Sequence, residues 1–241
     1  MKRQNIVQVL ILLLGLILML SAFIVENSNT NTILLSIGCS IISVVIINFV
    51  DYHITLPEKK TTEIVNNWKL ISIFETKQSM NKEANICLEK AKKLDIAALG
   101  CKGLLNYCGD TIKERLNDGL EIRFLIPKKH SAYIHQREKD EGASKDEINN
   151  NLEFLVSWST KTIKDLDLNP NQIVIKEYDH LPIESIMKVD KNLFTGPFMV
   201  DKVSQLTMAY QYRKGGIGYE YYEKYFDSIW SKSTSINLVT N

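Results

Sequence analysis

The sequence predicts an α/β protein: two N-terminal transmembrane helices followed by a cytosolic domain built on a mixed sheet. Three observations carry this. Two long apolar runs fill the first fifty residues, strand-like and helix-like segments alternate from residue 94 onward before several further extended runs, and the chain closes on an amphipathic helix.

The run 6–25 is interrupted only by the polar residues Gln8 and Ser21, and the run 33–50 carries no charge. At a rise of about 1.5 Å per residue, each covers most or all of a hydrocarbon core about 30 Å thick. The stretch "ENSNTNT" between them predicts a helical hairpin. A cleaved signal peptide is the alternative for the first run, since Lys2 and Arg3 precede it and "LSA" ends at Ala22. The second run would still anchor the chain. Lys2 and Arg3 flank the first run, Lys59 and Lys60 follow the second, and the intervening loop has neither Lys nor Arg. The positive-inside rule therefore predicts a two-span protein of the inner or plasma membrane with both termini cytoplasmic. Ser36, Gly38, Cys39, Ser40 and Ser43 give the second span a small-residue surface suited to helix packing.

Beyond the hairpin, Ile64, Trp68, Ile71 and Phe74 fall at near-helical spacing and predict a helical stalk over 57–80. A second helix is expected over 81–93. "LDIAALG" reads as a buried strand, 104–119 as a helix stopped by Gly119, and "LEIRFLIP" as the next strand. The charged segment from Lys128 to Glu147 is expected to be exposed, followed by a long helix over 146–165. Strands follow at 173–177, on both sides of Asp190, and at 208–213. "GYEYYEKYFDSIW" then forms a helix with Tyr219, Tyr222, Phe226 and Ile229 on one face. The expected divisions are a transmembrane hairpin (1–56), the stalk (57–80), one α/β domain (81–231) and a flexible tail (232–241).

Composition narrows the function classes. A net charge of +1 gives no global basic field, so there is no strong nucleic-acid signal. Cys39, Cys87, Cys101 and Cys108 have neither zinc-site spacing nor the density of a disulfide scaffold, which predicts free thiols in a reducing compartment. Cys101 and Cys108, two helical turns apart, read as helix-face packing. His130 and His135, five residues apart, do not match a helical metal pair and read as solvated loop residues. No metal and no cofactor are expected.

The stretch "ESIMKVDKNLFTGPFM", residues 184–199, is the most specific signal. Together with "LDIAALG", the Gly-terminated helix and "LEIRFLIP", it makes 94–230 resemble one half of a phospholipase D-like domain. The resemblance implies an active site of the form His-x-Lys-x-x-x-x-Asp. In that family the His attacks phosphorus, the Lys holds phosphate oxygens, and two such motifs face each other from two halves or two chains. With Asp190 as the motif's Asp, the His position falls on Ile183 and the Lys position on Ser185. Neither can substitute. Lys188 is on the opposite strand face from Ser185, and the turn to Gly196 is one residue short. The resemblance therefore implies a degenerate relative that keeps the fold without its usual reaction, and, with a single half present, a homodimer or higher homo-oligomer.

Two further site readings remain. His180 in "YDHLPIES", with Glu184 and Asp190, is the weak candidate catalytic set; the plain reading of His180 is a loop residue. Ser185, Asp190, Arg213, Lys214, Gly215 and Gly216 are candidate ligand contacts, because two cations and glycines at a helix start can hold a phosphate. The competing reading of "RKGG" is a tight connection into the last helix. The leading expectation is a non-catalytic, membrane-anchored sensor or effector that binds a phosphate-containing ligand such as a nucleotide. Small bacterial proteins with two spans and a cytosolic sensor domain resemble antiphage-defence effectors, an architectural likeness alone. The alternatives are an active phosphodiesterase with a rearranged site, acting on phospholipid or nucleic acid, and a membrane scaffold for a partner protein.

Overall fold

The computed structural model describes residues 3–238. The chain divides into two compact units, one up to Glu63 and one from Ile64 onward.

In the first unit, α1 (Arg3–Ala22) and α2 (Ser28–Val50) form an antiparallel hairpin. Asn27 caps α2, its Oδ1 accepting hydrogen bonds from the Asn29 and Thr30 amides. The helices meet at glycines. A Cβ on Gly38 would lie 2.6 Å from Met19 Cγ and 2.9 Å from the Gly15 carbonyl oxygen, so only a residue without a side chain permits this approach. The Ser40 and Ser43 hydroxyls donate to the Ser36 and Cys39 carbonyls, which satisfies them inside the helix. A π-helical turn (Asp51–Thr55) leads into α3 (Leu56–Trp68). Among the described residues one helix, Ser28–Trp68, is long and apolar enough to cross a membrane by length and composition; the apolar helix before it, Val7–Ala22, is shorter.

The second unit opens with a correction. The stripe over Ile64, Trp68, Ile71 and Phe74 is not one helix: α3 ends at Trp68, Lys69 takes the left-handed φ of 48°, and β1 (Leu70–Phe74) begins. "LISIF" is rich in β-branched residues, and over five positions a helical and an alternating pattern are hard to separate. Then follow α4 (Lys77–Leu88), capped by Thr76, β2 (Lys93–Ala97), α5 (Lys102–Asn117), β3 (Glu121–Pro127), α6 (Ala132–Glu141) and α7 (Glu147–Asp165). The remainder is β4 (Ile173–Tyr178), β5 (Glu184–Val189), β6 (Asn192–Pro197), a 3₁₀ turn (Ser204–Leu206), β7 (Ala209–Arg213), α8 (Ile217–Lys232) and β8 (Thr234–Ser235).

The eight strands form one mixed sheet in the order β1-β7-β6-β5-β2-β3-β4-β8. The central β2, β3 and β4 are parallel, as the intervening helical crossovers require, and the hairpin-connected strands beside them are antiparallel. Alternation then sorts the side chains. Leu94 and Ile96 of β2 join the core under α4, α5 and α7, whereas Ala97 joins the second core, where Tyr219 and Phe226 of α8 cover Leu125, Ile186 and Leu193.

Two other expectations change here. The charged segment after β3 contains α6, whose Ile134, Arg137 and Glu138 are buried. Arg137 is tolerated inside because it pairs with Glu141 at 2.7 Å and donates to the Met199 carbonyl at 2.8 Å. In the expected tail, β8 pairs with β4 and Leu238 is buried; residues 239–241 lie outside the described residues.

Candidate functional site

Strand alternation in β5 determines which of the candidate residues can face a ligand. Ser185 and Met187 lie on the α4/α5 side of the sheet, while Lys188 turns to α8, where it pairs with Glu223. Beyond the carboxyl end of β2, on the Ser185 side, opens a cavity of about 350 Å³. Clefts outside the carboxyl ends of strands are where open α/β sheets receive ligands. The loop 98–103 forms one wall. Gly100 (φ 130°) and Cys101 (φ 58°) turn the chain sharply there, and α5 starts without a side-chain cap. Burial pushes the Cys101 thiol up to about 12, which keeps it protonated and unreactive.

The buried cation of this cavity is Lys77, in the first turn of α4 and only 4% exposed, while Lys102 lines the cavity as an exposed residue. Its Nζ donates to the Pro197 carbonyl at 3.1 Å and lies 4.5 Å from the centre of the Phe198 ring. A Cβ on Gly196, opposite Ser185, would lie 2.3 Å from the Met208 carbonyl oxygen and 2.9 Å from Lys77 Cε, so only a glycine fits where the backbone and the lysine close in. Burial, and then the positive charge of Arg137, lower the ammonium to about 8. Among the described residues no carboxylate lies within ion-pair distance of it. An ammonium has three N–H donors; the Pro197 bond uses one. Asn81, Asn151 and Gln205 add amide groups to the lining. Glu141 is engaged by Arg137 and the Ser204 hydroxyl, and Glu147 by the Ser144 amide. The lining contains no histidine.

The other candidates are dispersed. Ser185 faces the cavity, its hydroxyl donating to the Gly196 carbonyl at 3.2 Å. Asp190 sits at the far end of β5, with a left-handed φ of 48°, and its carboxylate accepts from the Lys92 and Lys93 amides while its carbonyl accepts from the Tyr219 hydroxyl. It is a turn residue. His180 follows β4 and its ring lies 4.4 Å from that of Tyr178, in a separate cleft with Lys128 and Lys232. Burial lowers its imidazole below the ordinary range against the opposing charge of Asp179. Glu184 accepts from the Thr195 hydroxyl at 3.2 Å. The set His180, Glu184 and Asp190 is therefore not brought together.

Arg213 to Gly216 make the connection into α8. The Arg213 amide donates to the Lys69 carbonyl, the Lys214 amide to the Lys191 carbonyl, and Gly215 has a φ of 81°. Gly216 precedes α8 and abuts the Trp68 carbonyl so closely that a Cβ would collide with it. The left-handed backbone explains Gly215, and close packing explains Gly216.

Two clusters escaped the sequence reading. Under α8, Asp95 accepts from Arg123 at 2.6 and 2.8 Å and pairs with Lys188 at 2.8 Å; Asp227 and Glu223 complete the network. Burial alone would raise the Asp95 carboxyl, but the hydrogen bonds and charges of Arg123 and Lys188 outweigh it and hold it below the usual carboxylate range. Between α6 and α7, ligand atoms of His135, Glu138 and Asp146 lie within 4.8 Å of one another. Glu138 accepts from the Ile148 amide, which joins α6 to the start of α7, and Asp146 accepts from the Asn149 side chain within the first turn of α7. Lys77 was missed because its partners come from β6 and the loop after it, more than a hundred residues on; the one local signal is the helix start at "ETKQSM".

No protein-family model matches the chain, and no curated protein matches it. The superpositions with solved structures are loose. TrmBL2, an archaeal chromatin protein, aligns over 82% of this chain and 71% of its own at 11% identity and a TM-score of 0.44. The phospholipase D family member Nuc from Salmonella typhimurium aligns over 69% and 98% at 9% identity and 0.43. Phosphatidylserine synthase from Haemophilus influenzae aligns over 65% and 37% at 12% identity and 0.44.

Proposed function

We propose that this chain is a membrane-anchored, non-catalytic module of phospholipase D-like fold whose cytosolic domain binds a phosphate-bearing ligand, a nucleotide being the favoured class. In this reading residues 1–56 form two spans with both termini in the cytoplasm, and two copies assemble. The observation that carries it is the Lys77 cavity. One buried cation there has donors to spare, at the strand ends beside Ser185, and the lining offers neither a histidine nor a free thiolate. Such a cavity can hold an anion, and its lining offers no histidine for the attack on phosphorus that the resemblance implies. Ile183 and Ser185 at the motif positions support the same conclusion.

The test uses the full chain in lipid nanodiscs, titrated calorimetrically with inorganic phosphate and with a nucleoside monophosphate. Lys77→Met should weaken binding about tenfold or more, as the loss of a charge-assisted hydrogen bond predicts. Wild-type affinity should fall as pH rises through about 8, because the ammonium gives up its charge there. Unchanged affinity in Lys77→Met would overturn the cavity assignment. Turnover of a phosphodiester that disappears in His180→Ala would replace the whole reading with the phosphodiesterase one.

A further inference from the structure

The end of the sheet opposite the Lys77 cavity is basic, and hydrogen bonds to backbone groups tie it into one surface. Lys69 Nζ reaches the Lys214 carbonyl at 3.5 Å, the Lys214 amide donates to the Lys191 carbonyl at 2.8 Å, and the adjacent Asp190 carboxylate accepts from the Lys92 amide. Lys69, Lys90, Lys92, Lys191 and Lys214 are all exposed. Among the described residues none of their ammonium groups has an ion-pair partner.

The four carboxylates that line the basic cleft at this end are already engaged. Asp95 and Glu223 belong to the Arg123–Lys188 network, Glu121 pairs with Lys93 at 3.5 Å, and Asp190 is held by backbone amides. A cleft of about 1050 Å³, with Lys90, Lys92, Lys191 and Lys214 among its lining residues, is left with uncompensated positive charge. This is also the end at which the chain enters the domain: α3 finishes at Trp68, and Lys69 opens the basic series immediately before β1. Basic residues next to a membrane-crossing segment are drawn to anionic headgroups, an attraction that grows with each lysine and decays within a Debye length.

We propose that this lysine surface docks on anionic lipid headgroups of the bilayer that holds the N-terminal helices. The proposal rests on the membrane reading of those helices. A nucleic-acid backbone would meet the same charges, but the chain reaches Lys69 directly from the candidate membrane-crossing helix Ser28–Trp68, which favours lipid.

The experiment uses the full chain in nanodiscs of phosphatidylcholine alone or mixed with phosphatidylserine, footprinted by lysine acylation and read by mass spectrometry. Lys90, Lys92, Lys191 and Lys214 should react several-fold more slowly in the anionic discs, with Lys139 and Lys161 unchanged. High salt should remove the protection. Lys191→Glu with Lys214→Glu should remove it at Lys90 and Lys92, with unaltered circular dichroism showing an intact fold. Equal labelling in both discs, with the chain resistant to alkaline extraction, would overturn the docking surface and leave the membrane reading standing. A chain that never enters the discs would overturn both. Protection given by duplex DNA in neutral discs, with none from phosphatidylserine, would overturn the lipid proposal in favour of nucleic acid.

Discussion

Asp190 marks what the sequence can and cannot say about one residue. The motif spacing singles it out, but its neighbours are the amides of Lys92 and Lys93 and the hydroxyl of Tyr219. Asp is suited to the position because a short polar side chain tolerates a left-handed backbone and can accept from nearby amides. Asp190→Ala should therefore lower stability by about 1–2 kcal/mol in urea denaturation, whereas Asp190→Asn, which keeps an acceptor and the same backbone preference, should lose less than half of that. Equal losses would contradict the turn role. Lys77 is the converse case. Its chemistry comes from Gly196, Pro197 and Phe198, which nothing in its local sequence announces.

Among the elements, the seam between β2, β3, β5 and α8 is where charge becomes structural. Asp95 lies on the α8 face of a strand whose other residues are mostly apolar, and it is compensated by Arg123 and Lys188 of the two neighbouring strands, which in turn bind Asp227 and Glu223 of the helix above. Removing one partner of a fully buried pair costs about 3–5 kcal/mol. Arg123 and Lys188 reach solvent in part and retain Asp227 and Glu223, so Asp95→Ala should cost nearer 2–3 kcal/mol by the same reasoning. The pH dependence has a definite sign. A carboxyl held below its ordinary value stabilises the fold above the unfolded-state pKa of about 3.9 and loses that contribution as pH falls through its lower folded value. Thermal melts should thus show wild-type stability declining below about pH 4, with a shallower decline in Asp95→Asn. The short elements show where periodicity fails. β1 was absorbed into a helical stripe because five residues fit either pattern. α6 looked like a solvated segment because its burial depends on Arg137 finding Glu141 and the loop after β6.

On the scale of the whole molecule, the division at Ile64 predicts separable behaviour. Deleting residues 1–63 should release the chain from membranes in alkaline extraction while the remainder unfolds in a single cooperative transition. Loss of cooperativity would show that the domain depends on the hairpin. Within the domain the Lys77 cavity lies at one end of the sheet and the exposed lysines at the other, an arrangement that follows from strand direction: Ser185 lies in the first residues of β5 and Asp190 follows its end. The sequence by itself determined the apolar N-terminus, the order of the long strands and helices, the face each β5 residue takes, and the absence of a nucleophile and cation at Ile183 and Ser185. Each is a matter of composition, period or spacing along a few turns of chain. Only the tertiary structure decided that the stalk ends in an edge strand, that His180, Glu184 and Asp190 lie apart, and that Lys77 supplies the cation beside Ser185. Those outcomes rest on contacts between residues distant in the chain, which local pattern does not encode.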